Sequence, residues 1–342
     1  MRLLSAFVIT LLLSVNLLAQ PLPRSTPEAE NFDPKAVEAY LQAVKDSKQE
    51  LHSLMILRNG KVISEQWFGQ NGPDVNHVMW SVSKTFTATA IGFAVKEKKL
   101  KLTDKVISFF PEAKPDTVSE NLAALEIRHL LTMSVGHASD PTDGIRQTKL
   151  PWEKYFLSFP MTYKPGEKFI YNSIATYMLS AILQKVTGEK LIDYLTPRFF
   201  EPLGIKGATW ESSPSNVTVG GWGLYVKTED MAKMGQFLLQ KGRWNGKRLL
   251  PKKWIKQASK AQIHQPAQWV PADANKAESD WAQGYGYQLW RCRNNAFRAD
   301  GLNGQFIIVL PEKNAVIVTT AYIPNMQEEI NLIWKHLYPA LK

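Results

Sequence analysis

The chain has 342 residues, of which 44% are hydrophobic and 21% charged, and its formal net charge is +10. This composition excludes a disordered or fibrous protein and predicts a globular protein with one large core or two joined cores. The basic residues are scattered, with no block longer than KEKKLK at 96–101 and no nucleic-acid motif. The charge therefore favours a solvated basic surface over attraction to nucleic acid or to anionic envelope polymers.

Residues 1–19 have the three regions of a secretory signal peptide. A basic start precedes an apolar run at 3–18, and Ala19 provides a small residue for cleavage. The run is shorter than the roughly 20 residues that span a bilayer, which favours a cleaved signal over a membrane anchor. We therefore expect a bacterial periplasmic or secreted protein with no stable membrane anchor after cleavage. Cys292 is the only cysteine, so the exported chain would depend on packing instead of an internal disulfide.

The predicted elements place a helical region between two parts of a sheet. After a Pro-rich lead and a helix near 34–48, two β-rich runs flank Asn59-Gly60, which is a strong hairpin signal. Helical periods dominate 81–200, another helix is expected near 228–241, and short strand-like runs such as YGYQLWRC, GQFIIVLP and AVIVTTAYI follow. The predicted units are an N-terminal lead and helix at 20–50, an α/β sheet domain formed by 51–95 and 220–342, and a helical domain at 96–219. A cleft is expected between the two domains.

Ser81-Val82-Ser83-Lys84 is the only Ser-x-x-Lys motif in the chain, and it begins an apolar, helix-like run. Residues three apart share a helix face, so Ser81 can meet Lys84 while Ser83 points elsewhere. A lysine desolvated in a cleft can lose its charge and accept the serine proton. The alternative is structural, with Ser81 as a helix cap and Lys84 in solvent. Because ordinary residue usage gives about one such spacing by chance, the motif needs support from elsewhere.

Two further segments could complete a site around this pair. Tyr171 stands at the entry to a helix, where its phenol could face a cleft and relay a proton, or could belong to the core. In ADGLNGQF, glycines before a strand allow a substrate carbonyl to approach the main chain closely, or form an ordinary turn. The sequence contains no Gly-x-Ser-x-Gly elbow, no His-Glu-x-x-His and no phosphate-binding or dinucleotide loop, so the enzyme classes that use those motifs lack support.

The order of these pieces resembles the serine hydrolase superfamily of class C β-lactamases, DD-peptidases, family VIII carboxylesterases and 6-aminohexanoate-dimer hydrolase. The similar stretches cover most of residues 50–320 and include WSVSKTFTATAIG, LEIRHLLTMSVG, PGEKFIYNSIATYMLS and ADGLNGQFIIVLP. The resemblance implies an α/β (α+β) fold, in which a β-lactamase-like antiparallel sheet flanked by helices carries an inserted, mainly helical domain. It also implies a serine hydrolase that needs no metal or other cofactor.

The resemblance assigns roles by position. Ser81 matches the acylated nucleophile, Lys84 its general base, and Tyr171 the tyrosine that exchanges protons with that lysine. The N–H groups of Ser81 and Leu302 would form the oxyanion hole. The residues that fall in the substrate-contacting motifs are Asn172, Ser173, Asp300 and Gly301.

Two departures from the family pattern change the expected substrate. Ser173 stands where lactamases and DD-peptidases typically have Asn, and the ADG at 299–301 replaces their Lys-Thr-Gly or His-x-Gly. The lost cation usually helps to hold a carboxylate, whereas Asp300, if it faces the cleft, would repel a carboxylate and favour an amine. Both departures are closer to the 6-aminohexanoate-dimer hydrolase branch, whose Gly-x-x-Gly-Gln pattern includes Gly304 and Gln305 here.

The sequence thus predicts an exported serine hydrolase that cleaves an amide or ester bond in a small molecule or short peptide. One alternative is DD-peptidase or β-lactamase activity, which the missing cation makes weak or absent. The other is a non-catalytic relative whose cleft only holds cell-wall fragments.

Overall fold

The computed structural model describes residues 21–342. The predicted signal peptide at 1–19 lies outside the described residues, and its cleavage stays a prediction. Among the residues that are described, no helix is both long and apolar enough to cross a lipid bilayer.

The described chain alternates short strands with helices. In chain order the strands are β1 (Glu50–Arg58), β2 (Lys61–Trp67), β3 (His77–Val78), β4 (Thr209–Trp210), β5 (Leu224–Val226), β6 (Arg243–Trp244), β7 (Lys247–Arg248), β8 (Trp290–Arg291), β9 (Phe297–Gly301), β10 (Gln305–Leu310) and β11 (Ala315–Tyr322). The α-helices are α1 (Lys35–Asp46), α2 (Ser83–Lys96), α3 (Glu120–Ala124), α4 (Ile127–Leu131), α5 (Trp152–Ser158), α6 (Ser173–Thr187), α7 (Leu191–Leu195), α8 (Glu201–Leu203), α9 (Thr228–Leu239), α10 (Lys252–Ala258) and α11 (Met326–Leu332).

One antiparallel sheet unites strands from the two ends of the described chain. Its order is β2-β1-β11-β10-β9-β8, so the first hairpin pairs with the last strand. All residues of β10 and nearly all of β11 are buried. Because both faces of these strands are covered, their sequences are continuous apolar runs without alternation. The predicted antiparallel sheet flanked by helices is confirmed, while the domain boundaries at 96 and 219 stay predictions.

The predicted hairpin turn is present between β1 and β2. Asn59 and Gly60 have φ of 52° and 79°, the positive values that a two-residue hairpin turn of this type requires. Arg58 and Lys61 pair directly across the turn. The Asn-Gly signal therefore identifies both the location of the turn and its conformation.

Two helices begin next to the candidate motifs and pack against each other. Every residue of α2 from Ser83 to Ala94 is buried, which explains why this part of the helix has no charged, solvent-facing side. The second, α6, begins where Asn172 Oδ1 accepts a hydrogen bond from the Ala175 N–H at 3.0 Å, and it ends at Gly188 with φ of 74°. The packing of α2 against α6 therefore keeps the Ser-x-x-Lys motif close to the segment that contains Tyr171.

Helix α9 lies directly on the sheet because Gly235 permits a close approach. A Cβ atom at this position would lie 2.4 Å from Val316 Cγ1 and 2.8 Å from Ile307 Cγ2. Any larger residue would have to push the helix away from the two strands at the centre of the sheet. The helix expected near 228–241 is therefore both present and closely packed.

The stretch YGYQLWRC forms less strand than the sequence predicts. Only Trp290 and Arg291 belong to β8. Gln288, just before them, has φ of 58°, and its main-chain N–H donates to the Leu131 carbonyl. Its side-chain Nε2 donates to the carbonyls of Leu130 and Leu131 at 3.1 and 2.9 Å. The segment leaves the extended conformation because it satisfies the carbonyl groups at the end of α4.

Candidate active site

The two serines of the motif have different surroundings. Ser81 lies in the 3-10 turn Trp80–Val82, just before α2, and is partly exposed. Trp80 has φ of 45°, a left-handed conformation that costs a non-glycine residue roughly 1–3 kcal/mol and is typical of functional sites. Ser83 is fully buried, and its hydroxyl accepts a hydrogen bond from the Leu224 N–H at 3.2 Å. Ser81 is therefore the serine that a substrate can reach.

Lys84 is buried against Ser81. Its Nζ donates to Ser81 Oγ and to the Gly221 carbonyl, each at 2.7 Å. Burial lowers the pKa of Lys84 to about 7, although the charges of Asp140 and Asp300 act in the opposite direction. Because its two hydrogen-bond partners are neutral, the amine can exist without its proton near neutral pH. This arrangement is suited to accepting a proton from Ser81.

Tyr171 completes the group from a different part of the chain. Its ring centroid lies 5.0 Å from Lys84 Nζ. Burial raises the pKa of Tyr171 and outweighs the opposing effect of a hydrogen bond with the Ser81 side chain. Desolvation of the phenol is the largest of the effects on this pKa. Tyr171 is therefore a neutral proton donor at rest.

The end of β9 lies against the turn that carries Ser81. A Cβ atom on Gly301 would be 2.4 Å from the Met79 carbonyl oxygen, so only glycine allows the strand to come this near. Leu302 follows, with a side chain that is 53% exposed. The end of β9 and the turn that carries Ser81 are thus in close contact. The role of the Ser81 and Leu302 N–H groups as an oxyanion hole stays a prediction.

Asp300 is not a free carboxylate, because it is paired with Arg298. It is nine-tenths buried, and its Oδ2 accepts a hydrogen bond from Arg298 Nε at 2.9 Å. Arg298 Nη2 lies 2.7 Å from the same oxygen and completes an ion pair. Residues two apart on a strand share a face, which brings the pair together. Arg298 is itself fully buried and also donates from Nη1 to the Asp280 carbonyl at 2.9 Å. Its charge compensates much of the field that Asp300 exerts on Lys84.

The other two predicted substrate-contacting residues lie at the start of α6. Asn172 is fully buried, and both polar atoms of its amide are engaged, Oδ1 as the helix cap and Nδ2 with His137 Nδ1 at 3.0 Å. Ser173 lies beside Gly221, where an added Cβ atom would be 2.6 Å from the Ser173 carbonyl. Ser173 thus lies next to Gly221, whose carbonyl accepts a hydrogen bond from Lys84. The Asn172 side chain instead caps the start of α6. Contact with a substrate stays a prediction for both.

Sequence reasoning missed Asp140, which lies in the segment between α4 and α5. Its carboxylate accepts hydrogen bonds from the N–H and hydroxyl of Thr142 and from the Ser173 N–H. Its charge acts on both Lys84 and Tyr171. The only signal in the sequence is its place just after the LTMSVG stretch. Nothing in that stretch shows that Asp140 contacts the start of α6 at Ser173, which is 33 residues later in the chain.

Comparison with known proteins adds the family. The model of the beta-lactamase family matches residues 42–330. The chain belongs to the beta-lactamase family. This family assignment confirms the resemblance to the serine β-lactamase-related superfamily that the motifs indicated.

The relatives of this beta-lactamase-family protein include hydrolases. It is 28% identical to Protein flp of Staphylococcus aureus (strain MW2) over 174 residues, 47% of this chain and 35% of that protein, so it matches about a third of that relative's length. It is 20% identical to 6-aminohexanoate-dimer hydrolase of Paenarthrobacter ureafaciens over 319 residues, 84% of this chain and 78% of that protein.

A solved structure supports the same fold. EstCE1, a hydrolase with promiscuous acyltransferase activity, superposes with a TM-score of 0.72 at 17% identity, over 89% of this chain and 97% of that one. At this identity the likeness shows the fold. Together, the family and these relatives indicate an enzyme from a hydrolase family of the beta-lactamase fold.

Proposed function

We propose that the protein is a serine hydrolase that cleaves amide or ester bonds through an acyl-enzyme on Ser81. The observation that carries this proposal is the buried Lys84 amine, with a pKa near 7, in contact with the hydroxyl of Ser81. An ordinary surface lysine is charged at neutral pH and cannot serve as a base. Burial beside neutral hydrogen-bond partners removes that obstacle.

The proposed reaction begins when Lys84 accepts the Ser81 proton as Oγ attacks the substrate carbonyl. When the tetrahedral intermediate collapses, the bond to the leaving group breaks and its electron pair goes to the leaving oxygen or nitrogen. Tyr171 donates its proton to that atom and recovers one from the Lys84 ammonium. Water then attacks the acyl-enzyme, with the same groups transferring its proton, and releases the acid.

The substrate is proposed to be a small amide, ester or short peptide. The 6-aminohexanoate-dimer hydrolase relative supports amides, and esters are included because the same acyl-enzyme chemistry cleaves them. The charge of the Asp300–Arg298 pair does not replace the free cation that the Lys-Thr-Gly or His-x-Gly signature supplies for a carboxylate. β-Lactamase or DD-peptidase activity is therefore proposed to be minor. Export to the periplasm or medium is proposed from the pattern at 1–19 alone.

Two serine variants test the proposal because they lie two residues apart in different environments. Ser81→Ala is expected to abolish labelling by a fluorophosphonate probe and to reduce turnover of p-nitrophenyl butyrate by at least about a thousandfold. Ser83→Ala loses one hydrogen bond to the Leu224 N–H and is expected to keep both. Labelling and turnover that survive equally in both variants would contradict an acyl-enzyme on Ser81. No labelling of the wild type, together with retention on purified cell wall, would instead support the non-catalytic alternative.

A further inference from the structure

Tyr171 is held by a side chain from a distant loop. Gln268 Oε1 accepts a hydrogen bond from the Tyr171 N–H at 3.0 Å, and Gln268 Nε2 donates to the Tyr171 carbonyl at 3.1 Å. Tyr171 belongs to no helix or strand, so no neighbouring strand provides these bonds. One glutamine side chain thus takes the place of a strand and satisfies both main-chain polar groups of Tyr171.

The next residue of the same loop restrains the Tyr171 ring. Trp269 contacts it edge to face, with ring centroids 5.5 Å apart and an interplanar angle of 82°. The buried Trp290 stacks on the ring at 5.6 Å and 21°. Trp269 is 49% exposed, although a large aromatic side chain usually gains by burial. It therefore forms the solvent side of the enclosure around Tyr171.

We infer that Gln268 and Trp269 are positioning residues that aim the Tyr171 hydroxyl at the leaving group of the substrate. This inference rests on the proposed function. A proton donor works only within hydrogen-bonding reach of the atom that it protonates. A supporting side chain that lets such a group move by about 1 Å can cost about a hundredfold in rate. Gln268 fixes the backbone of Tyr171 and Trp269 fixes its ring, which together determine where the hydroxyl lies.

A second glutamine of the loop provides a matched control. Gln265 Oε1 accepts from the Phe169 N–H at 2.8 Å, and its Nε2 donates to the Glu167 carbonyl at 3.0 Å. The contact has the same chemistry and is made to the same segment, two residues before Tyr171. Loss of either glutamine side chain removes two hydrogen bonds to the main chain. Only the loss of Gln268 releases Tyr171 itself.

The test compares ethyl butyrate with p-nitrophenyl butyrate, which form the same acyl-enzyme. Ethoxide needs a proton in order to leave, whereas p-nitrophenolate leaves without one. The kcat/KM for the ethyl ester therefore depends on proton donation by Tyr171, and that for the p-nitrophenyl ester does not. We expect Gln268→Ala to lower kcat/KM for ethyl butyrate at least about tenfold more than for p-nitrophenyl butyrate. Gln265→Ala should change both esters by one common factor. Thermal unfolding of the two variants records any shared loss of stability.

Trp269→Ala is the second variant, because it removes the ring contact and leaves the Gln268 hydrogen bonds in place. It is expected to show the same selective loss on ethyl butyrate, whether or not Gln268→Ala folds. Equal loss on the two esters in these variants would show that Gln268 and Trp269 act only through stability and would overturn the inference. Failure of the proposed function would be a separate result: the Ser81→Ala variant would turn over p-nitrophenyl butyrate as fast as the wild type does.

Discussion

At the scale of single residues, spacing predicts contacts between near neighbours and fails for distant ones. Ser81 and Lys84 are three residues apart, and a turn of either a 3-10 or an α-helix brings such residues onto one side. Arg298 and Asp300 are also near neighbours, but their spacing cannot show that the face they share is buried, because burial depends on the rest of the fold. Asp140 shows the same limit, since its charge meets Lys84 only after the chain has folded.

The pH dependence of acylation should follow Lys84. Its neutral form is the proposed base, so kcat/KM for p-nitrophenyl butyrate should rise with pH and level off above about 7. The Asp140 carboxylate stabilises the Lys84 ammonium and thereby raises the pKa of the amine. In Asp140→Asn the midpoint of the profile should therefore move to lower pH.

Asp143→Asn is the control for this shift, because it removes an exposed negative charge from the same loop. It should move the midpoint less than Asp140→Asn, since the charge of Asp143 is not among those that act on Lys84. A midpoint that stays fixed in Asp140→Asn would show that Lys84 is not the group that titrates in acylation.

At the scale of elements, local patterns predict helices well but not what each helix buries. The helix expected near 34–48 is α1, with Lys35–Asp46. Its Tyr40 is fully buried and donates a hydrogen bond to Glu329 of α11, which is also fully buried. Nothing in the local sequence distinguishes Glu329 from its more exposed neighbour Glu328, because the difference arises from a partner 289 residues away. Elements were therefore predictable where the pairing between them was not.

The buried carboxyl of Glu329 should make stability depend on pH. Burial raises its pKa to about 7 from the ordinary value of 4.5, so the folded state holds a proton more tightly than the unfolded chain. Its contribution to stability is therefore complete below about pH 4.5 and is lost as the pH rises through 7. In Glu329→Gln this loss disappears. We expect the variant to gain up to a few kcal/mol relative to the wild type between pH 5 and pH 8.

Urea unfolding at several pH values between 5 and 8 measures this difference. Glu328→Gln changes the same charge on the same helix at a less buried position, and it should leave the slope of the wild type unchanged. Parallel curves for the wild type and Glu329→Gln across this range would contradict a raised pKa for the buried carboxyl.

At the scale of the whole molecule, the sheet brings together residues from separate regions of the sequence. The antiparallel pairing of β9, β10 and β11 brings Gly301 to the turn that carries Ser81, and Tyr171 lies just before α6, which packs against α2. The order of motifs along the chain indicated this assembly through its resemblance to a family. The local patterns predicted that strands from 51–95 and 220–342 share one sheet, but they did not predict that β1 pairs directly with β11.

The distribution of charge over the whole molecule leads to the last prediction. The net charge of +10 would attract anions, whereas Asp140 places negative charge near Lys84, and Arg298 compensates much of the charge of Asp300. The screening length at 0.15 M salt is about 8 Å, so scattered surface charges contribute little inside the cleft and the nearby Asp140 carboxylate should dominate. A p-nitrophenyl ester of glutaric acid, which ends in a carboxylate, should therefore have a kcat/KM about tenfold below that of the uncharged 5-methylhexanoate, whose isopropyl end has a similar shape. Added salt should reduce this difference in kcat/KM, because it screens the repulsion. If the basic surface instead attracted the substrate, the glutarate ester would have the higher kcat/KM, and added salt would lower it.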